Sequence, residues 1–110
     1  MKYDLELYRI KADICKNLAD PKRQMIIAEL RNCEKTVSEI AEGVGITQPA
    51  ASHHLNILHD GGVVVRRRDG TNTYYSLSDP KITEACDIVH SVIMGKARKY
   101  SEFVDKMMVR

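Results

Sequence analysis

Two groups of residues in this 110-residue chain have the types and spacing to do chemistry. The first is Thr47-Gln48-Pro49-Ala50-Ala51-Ser52-His53, followed about a dozen residues later by Arg66, Arg67 and Arg68. A glutamine amide holds a donor and an acceptor side by side, which suits paired hydrogen bonds to adenine. Serine donates or accepts, histidine donates to guanine or phosphate, and the methyls of Thr47 and Ala50 suit a thymine methyl. Arginines suit phosphates, which fix a protein on a duplex without reading its sequence. The second group is Cys15, and Cys86 with Asp87 and His90. If the helices carrying them pack together, they offer a thiol pair or, with His90, a soft metal site. The competing reading of Cys15 and Cys86 is that of small apolar core residues, and it is the favoured one. No histidine, carboxylate and nucleophile fall at the spacing of a catalytic motif, and the adjacent His53 and His54 point in different directions on a helix, so an enzyme is not expected.

The elements that must position these residues are marked by proline, glycine and cap signals. Leu7, Ile10, Ile14 and Leu18 recur at helical spacing within 4–19. Asp20-Pro21 restarts the chain with an N-cap and a proline at the first helical position, and a second helix follows over 21–31. Asn32 to Lys35 reads as a polar break, with Cys33 an exposed thiol. Thr36-Val37-Ser38-Glu39 then has capping-box spacing, and Gly43 and Gly45 bracket the end of a short third helix. Thr47 opens a fourth helix that ends at Asp60 before Gly61-Gly62. Ala51, Leu55 and Leu58 form its buried face, while Gln48, Ser52, His53, Asn56 and His59 lie opposite. His54, beside Leu55, is expected to pack inward.

Valine, threonine and tyrosine flank Asp69-Gly70, so 63–78 is predicted to be a β-hairpin, with Thr71 and Asn72 at its tip. Side chains alternate along a strand, so Arg67 faces away from Arg66 and Arg68, and the three cannot all reach one partner. Asp79-Pro80 starts a last helical stretch through Met107, in one piece or bent at Gly95.

Two helices joined by a tight glycine-containing turn, over 36–60, are a helix-turn-helix, and the basic hairpin after them is a wing. The expected fold is therefore mostly α with a β-hairpin wing (α+β), in the order α-α-α-α-β-β-α. It forms a single winged helix domain over 1–110. The candidate DNA contacts are Thr47, Gln48, Pro49, Ser52, His53, Arg66, Arg67, Arg68, Thr71 and Asn72. Residues 1–19 and 80–110 carry more apolar surface than the winged core needs, which points to a homodimer. With 17 basic against 15 acidic residues, net +2, the chain is not a charge-driven DNA coater. The absence of Trp, with one Phe, leaves Ile, Leu, Val and Met to build the core. Charged residues interrupt every apolar run short of the roughly 20 residues of a membrane span. The N-terminus shows no secretory pattern, and a cytoplasmic location with reduced thiols is expected.

The stretches 18–23, 37–41, 47–58 and 62–64, and Tyr74-Tyr75-Ser76-Leu77, resemble the ArsR/SmtB family of winged-helix repressors over about 7–94. The resemblance implies a homodimer on an inverted-repeat operator of double-stranded DNA. It also implies release by an inducer, often a metal ion or a thiol-reactive species, and no particular cofactor is assigned. The family's arsenic and cadmium sensors carry a Cys-x-Cys pair where Thr36 and Ser38 stand here. Its zinc ligands fall at Asp79, Lys81, Val92 and Gly95, and its sulfur-sensing cysteines at Ala28 and about Met94. None of these three patterns is complete in this chain. The rival reading is a redox or ligand switch that acts through a protein partner without reading an operator.

Overall fold

The helix starts form where side-chain oxygens meet the unpaired amides of a first turn. The computed structural model describes residues 2–108, and in it Asp4 caps α1 (Leu5–Asn17), accepting from the Glu6 and Leu7 amides at 3.0 and 3.4 Å. Asp20 caps α2 (Pro21–Glu29), accepting from the Arg23 amide at 3.1 Å. Thr36 and Glu39 close a reciprocal capping box at the start of α3 (Val37–Val44). Gly45, at φ 79°, ends that helix in the left-handed region, and the Gly45 and Ile46 amides both return to the Ala41 carbonyl. Thr47 then caps α4 (Gln48–Asp60), accepting from the Ala50 amide at 3.2 Å.

A three-stranded antiparallel sheet completes this part of the chain, with β1 (Lys35–Thr36), β2 (Val64–Asp69) and β3 (Asn72–Leu77) in the order β1-β3-β2. Gly70 turns the hairpin at φ 62°. The strand β1 departs from the expected order. Two residues are too few to carry an alternating pattern, and what makes them a strand is pairing with Tyr75 and Tyr74 across the sheet. The observed order is α-α-β-α-α-β-β-α.

The core lies between α2, α3, α4 and the sheet. Ile26, Ile27, Leu30, Ile40, Leu55, Leu58 and Val64 are almost wholly buried, with Ala41, Ala51, Val63 and Tyr75 beside them. Among the described residues methionine, expected in the core, does not contribute to it: Met25 is 48% exposed, and alanines and one tyrosine take the remaining places. The helix α1 buries none of its residues, because its apolar stripe, Leu7, Ile10 and Ile14, faces outward. Cys15 is exposed with that stripe, so its reading as a core residue is corrected.

The chain divides into two compact units, residues up to Pro80 and residues from Lys81 onward. The second is α5 (Lys81–Met108), one continuous helix through Gly95. Ile88, Val89, Val92, Ile93, Phe103 and Met107 are all more than half exposed along it. No helix among the described residues is long and apolar enough to cross a membrane.

Candidate nucleic-acid interface

The helix α4 is held by its apolar face and offers its polar one. Ala51, Leu55 and Leu58 show no exposed surface, whereas Thr47, Gln48, Pro49, His53 and Asn56 are exposed and Ser52 is half-buried. Gln48, Ser52 and Asn56 succeed one another at intervals of four and form one stripe. Thr47 spends its hydroxyl oxygen on the cap, which leaves its methyl and hydroxyl hydrogen for other contacts. The Gln48 amide nitrogen donates to the Ser38 hydroxyl at 3.3 Å, so α3 reaches across the turn to steady the first reading side chain of α4. Sequence reasoning named neither Ser38 in this role nor Asn56 as a candidate contact. The four-residue spacing could have found Asn56, while nothing local announces Ser38.

The two histidines part as a helix requires. His53 is exposed, and its ring centroid lies 5.8 Å from that of His54. His54 turns inward, with Nδ1 3.5 Å from an Arg23 guanidinium nitrogen and 3.9 Å from Asp20. Asp20 is thus both the cap of α2 and a contact of α4. The hydrogen bond from the Arg23 amide holds its carboxyl below the ordinary value, with the charges of His54 and Arg23 adding to the effect.

The wing separates its arginines by face. Directly opposed residues of antiparallel strands project to the same side, and here Arg66 opposes Tyr75, Arg67 opposes Tyr74, and Arg68 opposes Thr73. Arg66 and Arg68 are exposed and make no ion pair among the described residues, and together with Arg67, Thr73 and Tyr75 they border an open concavity of about 410 Å³. Arg67 is engaged instead. Its Nε donates to Glu34 Oε2 at 2.8 Å, a terminal nitrogen donates to the other Glu34 oxygen, and its guanidinium carbon lies 4.6 Å from the Tyr74 ring centroid. This pair holds the Glu34 carboxyl below its usual range and raises Arg67 further. Glu34 and Tyr74 were not among the expected site residues. Thr71 and Asn72 are exposed at the tip.

The residues of the second candidate group are divided between the two units. Cys15 is exposed on α1, Cys86 is half-buried on α5, and His90 is exposed on α5. Cys33 is exposed, as expected of a thiol in the polar break, and its Sγ donates to the Glu29 carbonyl at 3.4 Å. Among the described residues, no three His, Cys, Asp or Glu side chains gather as metal ligands would.

Residues 20–65, from the cap of α2 to the start of the wing, match the family described as bacterial regulatory protein, arsR family. The chain is 42% identical over 76 residues to the HTH-type transcriptional regulator NmtR of Mycobacterium tuberculosis, a match covering 67% of this chain and 63% of that one. It therefore spans slightly less than two thirds of that relative. An HTH-type transcriptional regulator of Methanocaldococcus jannaschii is 37% identical over 86 residues, 77% of this chain and 97% of the relative. Among solved structures, the homodimeric winged helix-turn-helix DNA-binding domain of a possible ArsR-family regulator from Mycobacterium bovis aligns with a TM-score of 0.76 and 30% identity. That alignment covers 86% of this chain and 87% of the other.

Proposed function

The chain belongs to the ArsR family of DNA-binding transcriptional regulators, not enzymes, and from that premise we propose how it reads DNA: as a homodimeric repressor on an inverted-repeat operator. The observation that carries the reading is the division of α4 into a wholly buried apolar face and an exposed polar one, beside a wing that presents two exposed arginines with no ion pair among the described residues. The major groove, about 12 Å wide, admits one helix. A helix that enters it must be gripped from behind and must carry short polar side chains in front, and Gln48, Ser52, His53 and Asn56 meet that demand. Arg66 and Arg68 contact the backbone nearby, with Thr71 and Asn72 at the tip.

Two copies supply the affinity that one small reading surface lacks. The exposed apolar stripes of α1 and α5 are the surfaces that 1–19 and 80–110 bring to the dimer, and the Mycobacterium bovis domain aligned above is itself homodimeric. A two-fold axis spaces the recognition helices about one DNA turn apart, roughly 34 Å. Such a dimer sits on its operator and blocks transcription from it, acting in the cytoplasm, until an inducer releases it. Cys15 and Cys86 are the thiols that a thiol-reactive inducer would meet.

Selection from a random duplex library tests this reading. The expected product is an inverted repeat with half-site centres about 10 base pairs apart, bound by a species that sediments as a dimer. Recovery of sequences without two-fold symmetry, or no enrichment at all, overturns it.

A further inference from the structure

We infer that Glu34 withholds Arg67 from DNA, so that each wing meets the phosphate backbone with Arg66 and Arg68 while Arg67 serves as a positioning residue that ties the wing to the α2–β1 loop. The inference rests on the DNA-binding reading above. The Arg67 guanidinium is engaged on several sides: two nitrogens donate to the two Glu34 oxygens, one flat face lies over the Tyr74 ring, and NH1 is 3.9 Å from Asp69. A bidentate carboxylate is the partner a phosphate would have to replace.

Exchange of that partner is unfavourable for a reason beyond the bonds themselves. Glu34 is tethered within reach, and a phosphate that took its place would leave a bare carboxylate beside the most anionic surface the protein meets. Arg66 and Arg68 carry no such competitor and stand on the other face of the strand. Three consecutive arginines therefore amount to two DNA contacts and one brace. The brace joins Glu34, next to β1, to β2 across 33 positions of sequence.

The salt dependence of binding counts these contacts, because each neutralised phosphate steepens the plot of log affinity against log salt by about 0.9. Equilibrium binding to the selected duplex and to a scrambled one would be measured for wild type, R66A, R68A, R67A, E34Q and E34Q/R67A. In a dimer, R66A and R68A should each flatten the slope by about 2. R67A should leave it within about half a unit of wild type. E34Q should steepen it by about 2 on both duplexes, and E34Q/R67A should fall back to the R67A value. Flattening by R67A equal to that of R68A overturns the inference. So does steepening by E34Q that persists without Arg67, which would mark a general charge effect. Should R67A fail to fold, as its circular dichroism would reveal, E34Q against wild type still decides: an unchanged slope refutes the brace. A wild-type slope near zero would instead remove the DNA-binding reading itself.

Discussion

Replacing Gln48 by alanine should cost discrimination, and its bond to Ser38 sets how the loss divides. The amide of Gln48 has two N–H donors and one carbonyl. Paired hydrogen bonds to adenine use one donor and the carbonyl, which leaves the second donor for the Ser38 hydroxyl, 3.3 Å away in the unbound chain. The two interactions are compatible, and Ser38 orients the plane that adenine must meet. A good bidentate pair is worth about 1–3 kcal/mol, so two half-sites lose about 2–6 kcal/mol in Gln48→Ala, roughly a 30-fold to 20,000-fold loss on the operator. Ser38→Ala removes only a long, exposed hydrogen bond in each half-site. At about 0.5 kcal/mol each, the dimer loses about 1 kcal/mol, roughly fivefold. Titrations of the selected operator and a scrambled duplex at one salt concentration would measure both, together with the double variant. The Ser38→Ala loss should vanish in the Gln48→Ala background, since its only route is through that amide. If the two losses add, or if Gln48→Ala weakens the scrambled duplex as much as the operator, Gln48 is not a base reader steadied by Ser38.

Two further outcomes concern the scaffold. Thr36→Ala removes the oxygen that accepts from the Glu39 amide at the start of α3 and should cost about 1 kcal/mol, lowering the melting temperature by roughly 4–8 °C, while Thr36→Ser restores most of it. Glu34 is held below its ordinary value, first by its hydrogen bond from Arg67, so its contribution is complete above the usual carboxylate range and is lost as pH falls through its lowered value. Melting temperature followed from pH 7 to pH 3 should therefore fall more in wild type than in Glu34→Gln, and the two curves should run parallel above about pH 6. A difference that grows toward neutral pH would contradict this sign.

Local signals carried most of the architecture. Asp20-Pro21, Thr36 with Glu39, and Thr47 with Pro49 each satisfy backbone groups a few residues away, so the helix starts are visible in the residues that make them. The spacing of Ala51, Leu55 and Leu58 likewise marked the gripped face of α4. What local reading missed depends on partners distant in sequence. Lys35 and Thr36 are a strand only because Tyr75 and Tyr74 lie alongside. The alternation of β2 set Arg67 apart from its neighbours, but only the folded chain brings Glu34 to it. The three arginines look equivalent as a triplet and differ as soon as each is asked what it already touches. Cys15 illustrates the converse. Its helical spacing suggested a core position, yet apolar periodicity identifies a face and cannot say whether the chain itself or another surface covers it.

Thr36 belongs to two structures at once, as the last residue of β1, opposite Tyr74, and as the cap from which α3 begins. The hairpin and the helix pair are thereby riveted at a single peptide. A wing displaced along its strands would drag the mouth of α3 with it, and through the short turn at Gly45 the start of α4 as well. The reading head thus behaves as one tool rather than two adjustable jaws. In the proposed dimer, an inducer would therefore gain little by deforming one head, and its economical target would be the distance and angle between the two heads on the duplex.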